Sequence, residues 1–179
     1  MAKRPEIDKK AVLAKVAKLL TKLPVNARPR HTELEKAIAT LSVFPRNLET
    51  GTDDLLVFAG DLTVKGSFVF GTTAFILGNL TVDGVLHEHW HGAHLVVGGN
   101  IEARGIKCGS SIHALGGIVT EALFVETSGT IGSGSGLRAE LVILEDRKFS
   151  KVSGKVTAAE TVVLAYPDQA PLERLRSIL

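Results

Sequence analysis

The sequence predicts a mainly β protein, a single-stranded, right-handed parallel β-helix (solenoid) of about six turns. Three observations predict this fold. A short glycine-led signature recurs through the middle of the chain, its spacing is near 18 residues, and apolar residues alternate with polar ones around each copy. Repeats of this length predict stacked turns that share one core, because a single turn cannot bury its own apolar face.

The signature is Gly, then Asp or Asn, then Leu or Ile, then any residue, then Val or Ala. Clear copies and two weaker ones begin, in order, at Gly60, Gly78, Gly99, Gly116 and Gly154. These glycines are 18, 21, 17 and 38 residues apart, and the last gap accommodates two turns with a degenerate copy near 134–139. Glycine suits a corner with positive φ or close backbone approach, and Asp or Asn suits it by bonding nearby backbone.

Within each turn, apolar residues two positions apart predict strands whose alternate side chains point into the coil. Such pairs are Leu62/Val64, Phe68/Phe70, Leu80/Val82, Leu95/Val97, Ile101/Ala103 and Val162/Leu164. A turn of this length fits three faces of about six residues. We predict a right-handed coil, because residues 86–93 break the six-residue apolar period of a left-handed one. A leucine-rich repeat is the structural rival, but its Leu-x-x-Leu-x-Leu frame and asparagine ladder are absent from this sequence. An antiparallel sandwich is the wider alternative.

The solenoid is assigned to residues 51–165, and residues 1–50 are predicted to be helical. The first helix is capped by Asp8 and ended by Pro24. Its apolar stripe is Val12, Val16, Leu19, Leu20 and Leu23.

A second helix is predicted to begin at Thr32, with Glu35 at capping-box spacing, and to stop at Pro45. Its predicted buried face is Leu34, Ala37, Ile38 and Leu41.

A short capping helix is predicted over residues 166–179. Pro167, Asp168 and Pro171 break the solenoid pattern before it begins. Its apolar face is Leu172, Leu175, Ile178 and Leu179.

Composition narrows the class of protein. The chain is 45% hydrophobic with 18 glycines, which favours a folded repeat over a disordered chain. The single cysteine, Cys108, and the absence of a signal peptide or a long apolar run favour a cytoplasmic protein without membrane contact. Residues 1–30 carry a net charge of +7, leaving −5 for the rest. Because these basic residues lack interleaved aromatics, we interpret them as a solvated helix face and expect no nucleic-acid partner.

Four of the six histidines lie between residues 87 and 94, in the longest single-turn interval between signature glycines, 21 residues. In an extended strand, His87, His89 and His91 would project to one side, where three imidazoles can bind zinc, nickel or copper. A partner-contact loop is the preferred functional interpretation, because tryptophan is enriched at binding hot spots. The predicted contact residues are His87, His89, Trp90, His91 and His94.

Other candidates for chemistry are weaker. Cys108 could act as a nucleophile if His113 or His94 served as its base, but a buried apolar filler is the commoner role. The glycine-rich run at 128–136 lacks the Gly-Lys-Ser/Thr ending of a phosphate loop, and the position of a nucleophile-elbow serine is Gly134. No paired carboxylates are apparent.

Rungs such as Gly-Asn-Ile-Glu-Ala at 99–103 resemble those of bactofilins, bacterial cytoskeletal β-helices that polymerise end to end. They are also similar to rungs of solenoid proteins encoded beside bacterial polymorphic toxins, some of which act as immunity proteins. The resemblance covers residues 55–165.

Helices before and after the solenoid would cover its open strand edges and block end-to-end filaments. We therefore expect a non-enzymatic protein of immunity or adaptor type that binds a protein partner and needs no cofactor. A filament-forming scaffold of bactofilin type, hence a homo-oligomer, is the first alternative. A metal-dependent enzyme built on the histidine cluster is the second.

Overall fold

A computed structural model describes residues 8–23, 25–39, 43–51, 55–89, 92–146 and 150–164. Two α-helices come first: α1 is Lys9–Leu19 and α2 is His31–Lys36, with short 3-10 turns at Leu20–Lys22 and Val25–Ala27. Strands follow. They are β1 (Ile38–Ala39), β2 (Val43–Phe44), β3 (Leu48–Glu49), β4 (Leu56–Phe58), β5 (Leu62–Val64), β6 (Phe68–Phe70), β7 (Ala74–Ile76), β8 (Leu80–Glu88), β9 (His94–Val97), β10 (Ile101–Cys108), β11 (Ser111–Ala114), β12 (Gly117–Val125), β13 (Thr130–Ser133), β14 (Gly136–Leu144), β15 (Lys151–Ser153) and β16 (Val156–Val163).

The strands form a parallel β-solenoid of about six turns, as the sequence predicts. Every described strand pairing is parallel, and strands inside the stack pair with those one turn before and after them. Ile101, for example, pairs with Leu80 and with Ile118. Parallel stacking excludes the antiparallel sandwich. The right-handed sense of the coil stays a prediction.

Each turn has three faces. The first contains β2, β5 and the first halves of β8, β10, β12, β14 and β16, and the second contains β3, β6 and the second halves of those strands. The third is a separate seven-stranded sheet in the order β1-β4-β7-β9-β11-β13-β15.

The core runs along the inside of the coil. The apolar signature residues Leu62, Leu80, Ile101, Ile118 and Leu137 stack in register and are all buried. Alternation at period two places every second residue of these strands in one continuous apolar cluster, as predicted. Phe68 and Phe70, whose ring centroids are 6.0 Å apart, add the largest side chains.

The Asp and Asn of the signature connect successive turns. Asp61 Oδ1 accepts a hydrogen bond from the Asn79 amide at 2.7 Å, and Asn79 Oδ1 accepts one from the Asn100 amide at 2.9 Å. Asn100 Oδ1 in turn accepts from the Gly117 amide at 2.7 Å. We expected these side chains to bond local backbone. The bonds instead go to residues one full turn away, because stacking places that backbone directly above each side chain.

The leading glycines permit this close stacking. A Cβ at Gly78, Gly99 or Gly116 would lie 2.2–2.4 Å from the side-chain oxygen of the Asp or Asn in the turn below. Among the signature glycines within the described ranges, only Gly154 has positive φ. Close approach is therefore the main reason for glycine at these corners.

The N-terminal helices lie on the side of the coil. Asp8 caps α1 as predicted, because its Oδ1 accepts from the Ala11 amide at 3.1 Å. In the helical N-terminal segment, Val12, Val16, Leu19, Leu23 and Leu34 pack on three outward side chains of the third face, Val57, Phe75 and Val96. None of the described helices is long and apolar enough to cross a bilayer.

The prediction of a second helix reaching Pro45 is wrong. Helix α2 has six residues, and Glu33, not Glu35, supplies the carboxylate that accepts from the Arg30 amide, at 2.7 Å. Ile38 pairs with Val57 in the first turn of the coil instead of continuing the helix. The β-sheet edge satisfies its backbone, and this tertiary pairing overrides helical spacing. Pro24, Leu41 and the predicted capping helix at 166–179 lie outside the described residues.

Candidate functional site

The structure divides the predicted histidine cluster between two faces. His87 is half-buried near the end of β8, on the second face, with its Nδ1 3.1 Å from the Glu88 carbonyl oxygen. His89 is exposed immediately after β8, and His94 begins β9 on the third face. Trp90 and His91 lie outside the described residues, so the contact role of this segment stays a prediction. In the described ranges, no three His, Cys, Asp or Glu side chains are placed to hold a metal ion.

His94 belongs to a cleft on the outer surface of β9, β11 and β13. The cleft has a volume of about 390 Å³. His94 pairs with Ser111, and His113 pairs with Gly132 in the next turn. The lining residues are Gly92, His94, Gly109, Ser110, Ser111, His113, Ser128 and Thr130. We call this the histidine cleft.

Gly132 makes room for one wall of the histidine cleft. A Cβ at Gly132 would lie 2.4 Å from Nδ1 of His113, so the His113 ring covers that glycine. Sequence reasoning considered His113 only as a base for Cys108. Its separation from His94, about one repeat, is the signal that would have placed both imidazoles on neighbouring strands.

Burial favours the neutral form of both imidazoles of the histidine cleft. Burial lowers the pKa of His94 below its usual 6.5. Burial also lowers the pKa of His113, and the charges of Lys22 and His94 lower it further. Within the described part of the chain, the buried Nδ1 of His94 has no hydrogen-bond partner. With its hydroxyl-bearing walls, the cleft can therefore form neutral hydrogen bonds with a ligand.

Cys108 is a core residue, which argues against the hypothesis of a nucleophile. Its side chain is fully buried inside the coil, and Sγ donates to the Thr130 carbonyl oxygen at 3.4 Å. Burial and the Glu88 carboxylate raise the pKa of the thiol to about 12. Both effects disfavour the thiolate that nucleophilic chemistry requires. The filler role is confirmed.

Two carboxylates that we did not expect to be paired meet at another corner of the coil. Glu88 occupies an inward position at the end of β8, because it pairs with the buried Phe70 of β6. One Glu88 oxygen accepts from the Gly109 amide, and the other is buried without a partner among the described residues. Glu126 approaches the same glycine and forms an ion pair of 2.8 Å with Lys107. Burial, followed by the Glu126 charge, raises the pKa of Glu88.

Glycines in the run at 128–136 permit close stacking of adjacent turns. A Cβ at Gly129 would lie 2.1 Å from the Cys108 carbonyl oxygen, and one at Gly134 would lie 2.1 Å from that of Leu115. These glycines therefore allow the backbones of adjacent turns to come close. They flank strand β13 and do not precede a helix, which agrees with the rejection of a phosphate loop.

A wider groove of about 510 Å³ follows the corner between the first and second faces. Charged side chains of both signs line it, including Arg104 and Glu121, which lie 3.8 Å apart. Lys65 and Asp83 form a second ion pair of 3.3 Å nearby. All four side chains are about half exposed, so these pairs contribute little to stability.

The last described turn leaves interior positions open. Val156 stacks on Leu137, and Val163 stacks on Leu144, so both occupy the inward columns of the coil. Val156 is nevertheless 40% exposed and Val163 is 42% exposed. The strands that carry this turn, β15 and β16, are the last in their sheets. These two strands form the open end of the coil.

The basic part of the sequence, residues 1–30, contains α1. Lys9, Lys10, Lys15, Lys18 and Lys22 are all exposed, as expected for a solvated helix face. Lys3 and Arg4 lie outside the described residues.

Comparisons with known proteins give no family for this chain. No family model matches it, and no curated protein or solved structure does. The fold and the candidate surfaces therefore rest on the residues of this chain alone.

Proposed function

We propose that this protein is a non-enzymatic assembly protein that associates head to tail through the ends of its coil. The observation that carries the proposal is the exposure of Val156 and Val163 at inward positions of the last turn. A stacked neighbour would continue the apolar columns and bury both side chains. The two ends of a parallel coil differ, so one copy can present its last turn to the first turn of the next.

The first turn offers a suitable counterpart. Phe44 and Leu48 lie in β2 and β3 and pack on the core while remaining half-buried. Strands at the end of a stack also present backbone N–H and C=O groups without sheet partners, which favours pairing with another chain. Because this head-to-tail contact does not close on itself, it generates an open filament.

The position of α1 supports this choice over a discrete monomer. The expectation of blocked filaments depended on helices lying across the ends of the coil. Helix α1 packs on the third face through Val12, Val16 and Leu19 instead. A bactofilin-type scaffold in the bacterial cytoplasm is therefore the proposal that this geometry favours.

Sedimentation velocity and electron microscopy over a concentration series test the proposal. Val163→Lys would place a charge in the stacked interface and is expected to abolish assembly. Val119→Lys is the matched control, because Val119 is similarly exposed but lies on the side of the coil. A compact monomer at all concentrations, or equal assembly of both variants, would reject head-to-tail stacking.

Binding of a protein partner, as in an immunity or adaptor protein, is the second candidate function. The neutral imidazoles and hydroxyls of the histidine cleft favour it, because they suit recognition by hydrogen bonds. Affinity capture from the host with the wild type, His94→Asn and Val119→Asn would test this candidate. A specific partner lost only in His94→Asn supports it, and recovery of the same proteins by all three baits counts against it.

A further inference from the structure

The histidine cleft begins where one outward column of the third face changes from apolar to polar residues. Phe75 and Val96 stack in this column and are covered by apolar side chains of the N-terminal helical segment. The next positions in register are His113, Gly132 and Ser153. The polar part of the column therefore starts at His113, one turn beyond the last position on which the helical segment packs.

The neighbouring outward column adds hydrogen-bond donors. His94, Ser111, Thr130 and Lys151 follow one another in register on β9, β11, β13 and β15. Alternation places these side chains outside the coil, because the residue after each of them packs in the main core. One row of the surface thus contains an imidazole, two hydroxyls and an exposed ammonium group.

The two imidazoles are close enough to share one small ligand. Ser111 lies opposite His94, and His113 is two residues further along the same strand. With strands about 4.8 Å apart and a rise of about 3.3 Å per residue, the two positions are about 8 Å apart. Nδ1 of His94 is buried and has no hydrogen-bond partner among the described residues. A buried polar atom of this kind indicates a partner that the protein itself does not supply.

The charges around the histidine cleft favour an anion over a metal ion. After burial, the charge of Lys22 is the largest cause that lowers the pKa of His113. Lys22 and Lys151 are both exposed, and Lys151 follows Thr130 in register. In the described part of the chain, no carboxylate acts to raise the pKa of either imidazole. A cation would therefore meet positive charge without a carboxylate ligand, whereas an anion would be attracted.

The carboxylates of the neighbouring corner do not cancel this preference. Glu88 and Glu126 meet beside Gly109, which also lines the cleft. Glu126 is paired with Lys107 at 2.8 Å, and burial raises the pKa of Glu88, which favours its uncharged form. The negative charge at this corner is therefore largely compensated.

We propose that the histidine cleft binds a small oxyanion between His94 and His113, with the hydroxyls of Ser111 and Thr130 as further donors. The ligand is a free phosphate or the phosphate group of a small phosphomonoester, since a volume of about 390 Å³ leaves room for an organic part. The bound anion stabilises the imidazolium form, so binding takes up a proton. This site is independent of head-to-tail stacking, because β9, β11 and β13 lie on the side of the coil.

Isothermal titration calorimetry of the full chain with sulfate tests the proposal, because the charge of sulfate is constant between pH 5.5 and pH 8. The bound anion raises the pKa of an imidazole, so affinity should be highest in acid and fall as pH rises through the free and bound values. A rise of one pKa unit in the complex corresponds to an affinity about tenfold weaker at pH 8 than at pH 5.5. Equal affinity at both pH values, or no saturable binding of sulfate and phosphate, would overturn the proposal.

Substitutions identify the site. His94→Asn and His113→Asn are each expected to weaken sulfate binding about tenfold at pH 5.5 and to flatten its pH dependence. His87→Asn is the matched control, because His87 is a half-buried histidine on the second face. Lys22→Gln and Lys151→Gln change only exposed side chains, so they leave the fold intact and should weaken binding by about twofold to fivefold. Wild-type affinity in both lysine variants and both cleft-histidine variants would overturn the assignment.

A comparison of phosphate with glycerol phosphate distinguishes the two sources of the anion. Tighter binding of glycerol phosphate would support a phosphomonoester as the ligand, and equal binding would support the free ion. These titrations use the purified protein without a protein partner, so their result is separate from that of the affinity capture.

Discussion

At two corners of the coil, side-chain oxygens bind the backbone of the next turn, but the side chains that do so differ. At the signature corner, Asp61, Asn79 and Asn100 each use a side-chain oxygen to accept an amide hydrogen from the next turn. At the acidic corner, a Glu88 oxygen accepts from the Gly109 amide in the same way. The signature corner is exposed and mostly uncharged, whereas Glu88 is partly buried beside a second carboxylate.

The signature corner builds the repeated coil, whereas the acidic corner occurs at one place in the described turns. An exposed amide ladder can be repeated at every turn, because each step has its partner and adds no unbalanced charge. A partly buried carboxylate favours its protonated form, so it makes the fold sensitive to pH. Only the signature corner recurs as a readable motif. Substitutions at both corners would sharpen or break this contrast.

The largest effect is expected from adding a methyl group at the signature corner. In Gly99→Ala, Cβ would lie 2.9 Å from the Gly78 carbonyl oxygen and closer still to the Asn79 side chain. Because backbone must shift, we expect a loss of about 1–3 kcal/mol in the free energy of unfolding, measured by urea denaturation. Gly60→Ala is the control, because a Cβ there meets nothing within 4 Å.

The acidic corner should tolerate the same change better. A Cβ at Gly109 would meet mainly the carboxylate ends of Glu126 and Glu88, which can rotate away. Gly109→Ala is therefore expected to cost less than Gly99→Ala. A larger loss at Gly109 would show that the acidic corner is the more rigid of the two.

A smaller effect is expected from removing one step of the amide ladder. Asn100→Ala deletes the acceptor for the Gly117 amide, and it should lower the free energy of unfolding by about 1 kcal/mol. Asn100→Asp retains an oxygen acceptor and should lose less. Equal losses in the two variants, again by urea denaturation, would mean that the hydrogen bond contributes nothing.

The smallest effect is expected from Glu88→Gln, and it depends on pH. Because the pKa of Glu88 is raised in the folded protein, the folded state binds this proton more tightly than the unfolded chain does. The stabilisation is complete below the usual pKa and is lost as pH rises through the folded value. The substituted amide side chain would keep an oxygen for the Gly109 amide without the charge. The variant should therefore be slightly more stable at pH 7, and the difference should disappear in acid.

Urea midpoints measured from pH 4 to pH 8 check this expectation. Glu102→Gln serves as the control, because Glu102 is an exposed glutamate on a neighbouring strand of the first face. A parallel pH profile for the wild type and Glu88→Gln would contradict a buried titrating carboxyl at this corner.

The sequence could predict the repeat but not the contacts that depend on exact register. Glu88 and Glu126 are 38 residues apart, and they meet beside Gly109 because β8, β10 and β12 stack in successive turns. His94 and His113 are likewise joined by the pairing of β9 with β11. Neither pair forms a local motif, and a separation of about one or two repeats does not by itself show which residues of two turns come into contact.

The sequence by itself determined the stacked parallel coil, its inward columns and the glycine corners. These follow from local rules, because strand alternation fixes which side chains point inward and stacked backbone leaves no room for Cβ at tight corners. Only the tertiary structure decided that Ile38 joins a sheet, that α1 lies on the side of the coil, and that Val156 and Val163 stay open. Each of these outcomes depends on which distant surface offers unpaired backbone or an uncovered apolar face, and that surface exists only after the coil has formed.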